Sequence, residues 1–160
     1  MPVHYTQTLG QDRLYQAYYL FSQYPQEKLI INIDSGTFTT IDMISAEGFL
    51  GGYIIPGLEL LNETYMKGHH LSKVTYPTNL DQLSDLPHST EEAMSLGLFK
   101  IYEGLFHLLY SHMPTMISLT GGKSDIIIEL IKHCFAEVQI KHQPHLIHQA
   151  LTLIYQRVQV

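Results

Sequence analysis

The sequence predicts an α/β domain whose mixed sheet is covered by helices, and three observations carry that expectation. Leu29 to Ile33 is almost wholly aliphatic, which suits a strand covered on both faces rather than one with a wet side. Two further apolar stretches follow at once, separated only by Ser35-Gly36 and by Ala46-Glu47-Gly48, which is the spacing of an antiparallel meander. Helical and strand-like segments then alternate to the C-terminus, the order expected when helices cover a sheet.

The elements follow from local signals. Asp12 opens a helix whose apolar positions Leu14, Ala17, Tyr18 and Phe21 recur at helical spacing, and Pro25 ends it. Strands are expected over 28–34, 38–45 and 49–55, and Pro56-Gly57 stops the sheet. Leu58 to about Met66 reads as a helix with Leu58, Leu61 and Tyr65 on one face. The polar stretch from Lys67 to Pro87 reads as a long loop, of a length that commonly serves a function such as closing over a substrate. Ser89 as N-cap with Glu92 at N3 forms a capping box for the longest helix, which runs to Tyr110 and is expected to bury Met94, Leu98, Ile101, Leu105 and Leu108. Met116 to Leu119 is a further strand, and Thr120-Gly121-Gly122 turns it into a helix from Asp125 to Cys134. A strand near Glu137 to Ile140 and a helix beginning at Pro144 complete the order.

Composition narrows the function classes. A chain of 160 residues is the size of one domain and can bury about 70% of its unfolded surface. The net charge is -6 with only nine Lys and Arg, so no basic stripe is available for nucleic acid. The apolar runs fall short of the roughly 20 residues needed to cross a bilayer, so no membrane partner is expected. Cys134 is the single cysteine and reads as a packing thiol at a partly buried helix end. With no signal peptide at Met1-Pro2-Val3-His4, a cytoplasmic setting is expected. His69-His70 and the group Cys134, His142, His145 and His148 lack ligand spacing, so these side chains read as solvated or capping.

The buried strand ends in Asp34-Ser35-Gly36-Thr37-Phe38-Thr39-Thr40. Gly36 permits a tight turn there, and bare N-H groups with the hydroxyls of Ser35, Thr37, Thr39 and Thr40 can face an anion. Taken alone, the same residues also make an ordinary hairpin connection.

Read together, Leu9-Gly10-Gln11-Asp12-Arg13, Asp34 to Thr40, Gly51-Gly52-Tyr53-Ile54-Ile55-Pro56-Gly57-Leu58, Ser89-Thr90-Glu91-Glu92-Ala93-Met94 and Thr120-Gly121-Gly122 resemble type III pantothenate kinase in order and spacing. The likeness is close from about Tyr5 to Gly122 and looser beyond. It implies the ribonuclease H-like lobe of the actin-like ATPase and sugar kinase superfamily, with residues 1–160 as a single C-terminal lobe. It also implies ATP-dependent phosphorylation of pantothenate to 4'-phosphopantothenate, the first step of coenzyme A biosynthesis, with Mg2+ and a monovalent cation, K+ or NH4+. A homodimer is implied as well.

Carried over by residue, Gly10, Gln11, Asp12 and Arg13 look like the pantothenate-binding segment, with Asp12 accepting the proton of the attacking hydroxyl. Thr90 looks like a second pantothenate contact, Thr37 an ATP phosphate contact and Asp34 the monovalent cation ligand, while Gly121 and Gly122 lie where such kinases approach the adenosine. Without the family likeness, Asp12 reads as a helix N-cap, Arg13 and Thr90 as first-turn residues and Gly121 as a simple turn. Two departures stand out. Ser89 replaces the Asn common in the family before the Thr, and the family's N-terminal lobe with its Asp-x-Gly-Asn-Thr loop has no counterpart in this chain. That second departure leaves open a non-catalytic relative, an accessory or regulatory protein that keeps the fold.

Overall fold

The computed structural model describes residues 1–5, 7–68, 71, 86–135 and 137–159. The greater part of the expected loop from Lys67 to Pro87, with its suggested closure over a substrate, and the pair His69-His70 lie outside the described residues. The element order is α1 (Gln11–Gln23), β1 (Leu29–Ser35), β2 (Phe38–Ser45), β3 (Gly48–Pro56), α2 (Leu58–Met66), α3 (Thr90–Tyr110), β4 (Met116–Thr120), α4 (Ser124–Cys134), β5 (Gln139–His142) and α5 (Leu146–Val158).

Five strands form one mixed sheet in the order β3-β2-β1-β4-β5. β1, β2 and β3 are an antiparallel meander, as expected, while β4 joins β1 and β5 joins β4 in parallel. The aliphatic run thus sits at the centre, where both faces are covered. The register slips between Met43 and Ile44, where Leu50 is the extra residue on β3. Residues 2–4 run beside the start of β3: Phe49 N-H donates to Pro2 O, and His4 N-H donates to Phe49 O. Gly48 is required there, because it has φ +116 and a Cβ would lie 2.1 Å from Pro2 O.

Two cores lie on opposite faces. The larger joins Ile31, Ile33, Ile41, Ile117 and Leu119 to Phe99, Tyr102 and Phe106 of α3, Ile127 and Ile131 of α4, and Phe135. The smaller joins Ile30, Ile44, Phe49 and Met116 to Ala17 and Leu20 of α1 and Leu146 at the start of α5. Alternation along β1 makes this division, since Ile31 and Ile33 face one way and Ile30, Asn32 and Asp34 the other.

Several expectations need correction. On α3, Met94 and Leu98 are buried as expected and Leu105 packs against the larger core, but Ile101 and Leu108 are about half exposed, and the buried face is completed by Phe99, Tyr102, Phe106 and Leu109. The three large rings fill the larger core, which turns the neighbouring aliphatic positions outward. On α1, Leu14, Tyr18 and Phe21 are only half buried, and the fully covered face is Arg13, Gln16, Ala17 and Leu20. β5 begins at Gln139 rather than Glu137, because Val138 N-H is spent closing a turn on Phe135 O. Pro144 lies in the turn before α5, whose N-cap is His145. Ser89 does cap α3, accepting from Glu92 N-H at 3.1 Å, but the Glu92 carboxylate reaches His88 N-H at 2.9 Å rather than that of Ser89. Cys134 is buried.

Candidate functional site

The sheet face toward α1 changes character along its length. Ile30 of β1, Ile44 of β2 and Met116 of β4 make its apolar end, and one or two alternations further Asn32 and Asp34, Thr40 and Asp42, and Ser118 and Thr120 make a polar one. α1 repeats the pattern, with Ala17 and Leu20 over the apolar end and Arg13 and Gln16 buried over the polar end. Matching helix to sheet therefore gathers polar groups beside the β1–β2 turn.

These groups form two linked sets. Arg13 Nε donates to Asp42 Oδ1 at 2.9 Å, and Nη2 donates to the same oxygen. The guanidinium also lies 5.5 Å from the Tyr5 ring centre and 5.7 Å from that of Phe49. In the second set, Asn32 Nδ2 donates to Gln16 Oε1 at 2.9 Å, and Gln16 Nε2 donates to Asp34 Oδ2 at 2.7 Å. Burial pushes the Asp34 carboxyl above its ordinary range; the Gln16 bond opposes this and the Asp12 charge adds to it. Asp42 is also pushed up by burial, against the pull of the Arg13 bond and charge. Burial works against charge on Arg13, but the bond and charge of Asp42, with help from Tyr5, outweigh it and hold its pKa above the usual value. Asn32 Oδ1, Asp42 Oδ2 and Ser35 Oγ are buried polar atoms with no hydrogen-bond partner.

The β1–β2 turn is pinned from both sides. Gly57 N-H donates to Thr37 O at 2.9 Å from the start of α2, and Lys123 N-H donates to Ser35 O at 2.9 Å from the start of α4. Lys123 and Glu59 add an ion pair at 2.6 Å between those two helix starts. Gly57 has no room for a side chain, since a Cβ would meet Gly36 O at 2.3 Å.

A cleft of about 610 Å3 opens beside this turn, lined by Gly10, Asp12, Arg13, Asp34, Gly36, Thr37 and Thr40 with Tyr5, Thr8, Phe38 and Ile54. It therefore unites Gly10, Asp12, Arg13, Asp34 and Thr37, which the sequence names from segments far apart in the chain. Asp12 is the second residue of α1 and not its N-cap, which is Gly10. Its carboxylate lies over Gly10, where a Cβ would come within 2.7 Å of Oδ1. Arg13 is not a solvated first-turn residue, because its Nε edge is engaged with Asp42.

Gln11, Thr90, Gly121 and Gly122 do not line the cleft. Gly121 supports its floor, since it has φ +94 and a Cβ there would meet Asp34 Oδ1 and Ser35 O at 2.5 Å each. Gly122 has open space around it. Thr90 begins α3, which packs on the opposite face of the sheet from α1.

The sequence reading missed Gln16, Asn32 and Asp42. Asn32 is the one polar residue inside the aliphatic run and could have been found on that ground; Gln16 lies one turn beyond Asp12 on the same helix. Elsewhere, Ser124 Oγ lies 2.8 Å from His142 Nε2, but Asp125 approaches the same nitrogen at 3.7 Å. A nucleophile-activating triad needs its carboxylate on the other ring nitrogen, so this group is a helix-start contact. Among the described residues no group of three or more His, Cys, Asp or Glu is placed to hold a metal, and no helix is long and apolar enough to cross a membrane.

The fold is that of a lobe of the actin-like ATPases and sugar kinases. An archaeal actin homolog aligns over 91% of this chain and 54% of its own, with a TM-score of 0.57 and 13% identity. A protein provisionally described as a Baf family transcriptional activator from Campylobacter jejuni aligns over 99% of this chain and 69% of its own, with a TM-score of 0.68 and 24% identity. The sequence is more specific: the family profile of type III pantothenate kinase matches residues 1–112, and the chain belongs to that family. A type III pantothenate kinase of Oleidesulfovibrio alaskensis is 30% identical over 159 residues, covering 93% of this chain and 57% of the relative. One from Porphyromonas gingivalis is 32% identical over 136 residues, covering 78% and 54%. The chain thus spans about half the length of the curated relatives it matches.

Proposed function

We propose that this chain is the C-terminal lobe of a type III pantothenate kinase and carries the substrate-activating half of an ATP-dependent pantothenate phosphorylation, the first step of coenzyme A synthesis. The observation that carries the reading is the convergence of Asp12, Arg13, Asp34 and Thr37 on one cleft beside a doubly pinned turn.

The chemistry suits these residues. The primary hydroxyl of pantothenate attacks the γ-phosphorus of ATP, the bond to the ADP oxygen breaks, and the hydroxyl proton passes to Asp12 late in the step. Asp12 is exposed at the start of α1, where a substrate hydroxyl can reach it. Arg13 has its Nε edge on Asp42, so the pantothenate carboxylate would meet the end-on edge of the fork. Thr37 and Thr40 line the cleft beside the turn, where their hydroxyls would meet phosphate. The other two hydroxyls of the motif are not available, since Thr39 Oγ1 is turned to Tyr102 OH at 2.9 Å and Ser35 Oγ is buried. Asp34 with the hydroxyls of Thr37 and Thr40 is a set of hard oxygen donors that fits K+ or NH4+ and the outer sphere of a phosphate-bound Mg2+. Bound there, the cations would neutralise charge developing on the transferred phosphoryl group. The position of Thr90 across the sheet fits a homodimer in which a second copy brings its own α3 to this cleft.

Alignment supplies several kcal/mol of barrier lowering in such transfers, so a phosphate held from one side alone transfers slowly. The test is ADP release with pantothenate by this chain, alone and mixed with the N-terminal half of a relative that carries Asp-x-Gly-Asn-Thr. Activity is expected in the mixture, and Asp12→Asn is expected to lower its kcat by roughly 10²–10⁴ with KM little changed. An active mixture indifferent to Asp12→Asn would remove the assignment of the base, and a folded mixture with no activity would favour the accessory role.

A further inference from the structure

We propose that Gln16, held in place by Asn32, is the positioning residue that aims the Asp34 carboxylate at a bound monovalent cation. This rests on the reading of Asp34 as the cation ligand and adds to it the residues that set the ligand's direction.

Gln16 is 3% exposed and Asn32 is fully buried, so neither amide can trade its protein partner for bulk water. The order of donation is fixed. The ionised Asp34 carboxylate can only accept, so Gln16 presents its amino end to it, and Gln16 Oε1 in turn accepts from Asn32 Nδ2. That bond occupies Asp34 Oδ2 and restrains rotation of the carboxylate. On its other side Oδ1 lies against Gly121, where even a methyl group would come within 2.5 Å. Asp34 is therefore fenced between an amide donor and a backbone that only glycine allows.

The neutral amide matters. A Lys or Arg at position 16 would orient the carboxylate equally well, but it would cancel the charge a cation needs. Gln16 supplies direction and leaves the negative charge intact. It also stands one helical turn beyond Asp12, so α1 carries both the proton acceptor and the support of the cation ligand. Outer partners of this kind commonly change metal affinity by about 10- to 100-fold when removed.

The test uses the full chain and reads its thermal midpoint as K+ replaces N-methylglucamine at constant ionic strength. The parent is expected to be stabilised by K+, and Asp34→Asn to show no response. Gln16→Met, which keeps length and loses both hydrogen bonds, is expected to need about tenfold more K+ for half of the effect. Gln16→Glu keeps the acceptor for Asn32 and sets a second carboxylate beside Asp34, so a stabilising response to Ca2+ absent from the parent is expected. A role in packing alone would leave the K+ requirement of the Met variant at the parent's. If that variant does not fold, a Glu variant without a Ca2+ response would show that position 16 does not reach Asp34 and would overturn the proposal. If Asp34→Asn abolishes the K+ response while both Gln16 variants respond to K+ and Ca2+ as the parent does, the positioning role is overturned and the cation ligand stands. If the parent itself ignores K+, or Asp34→Asn responds like it, both fall.

Discussion

Arg13 and Asp42 are 5% and 0% exposed, and their contact has no water to replace it. Removing one partner leaves the other charge buried and uncompensated, which typically costs 3–5 kcal/mol, whereas replacing both with apolar groups is often close to neutral. Asp42→Leu and Arg13→Met are each expected to lose stability in that range by urea denaturation, and the double variant to lose far less than their sum. Single losses below about 1 kcal/mol would mean that the pair is not desolvated as described. Asp42 Oδ2, buried without a partner, makes the single Arg13 loss especially costly. The pair was illegible in the sequence because its members stand 29 positions apart and meet only when α1 crosses β2. Asp12 and Asp34 were legible because each sits in a contiguous motif. Gln16 was not, because a lone glutamine in a helix carries no local signal.

At the scale of elements, the joint between β4 and α4 separates two adjacent glycines. Gly121 has φ +94 and a virtual Cβ 2.5 Å from Ser35 O and 2.6 Å from Ser35 N, while Gly122 has nothing within 4 Å. Gly121→Ala is expected to destabilise by about 2 kcal/mol or more, adding a left-handed penalty to a backbone clash, and Gly122→Ala to stay within about 0.5 kcal/mol. Equal effects in thermal melts would show that the turn is not held against β1. At the start of α3, Ser89→Ala is expected to cost about 1 kcal/mol, because Glu92 N-H loses its acceptor. Caps and turns such as these were readable from sequence, since their causes lie within four residues, and the meander was readable for the same reason. The α3 stripe was misread in part because aliphatic spacing fits two faces of that helix, and only the sheet opposite selects Phe99, Tyr102 and Phe106. Parallel pairing of β4 and β5 depends on crossovers that no local pattern specifies.

Across the whole molecule, the two sheet faces divide the work, with a polar face that builds the cleft and a dry face that holds the fold. The dry face carries a chain of ring contacts from Tyr102 through Phe106 and Phe135 to Tyr110, with Cys134 in the same core. Burial, reinforced by the Glu103 charge and opposed by that of Lys100, pushes the Cys134 thiol from its ordinary 9.0 up to about 11. Between those values the folded chain keeps a proton that the unfolded chain has released. Raising the pH therefore favours unfolding: the thiol has no effect on the pH dependence below about pH 9, and its contribution is lost between pH 9 and 11. Two pH units correspond to about 2–3 kcal/mol at most. Urea denaturation from pH 8 to 11 should show a steeper loss in the parent than in Cys134→Ala, which removes the titrating thiol and leaves the other groups in place. Alkylation by iodoacetamide at pH 8 should follow global unfolding, since the thiol is buried and protonated in the folded chain. Parallel pH slopes for the two proteins, together with fast alkylation in native buffer, would place Cys134 at an open surface and contradict a dry core on that side of the sheet.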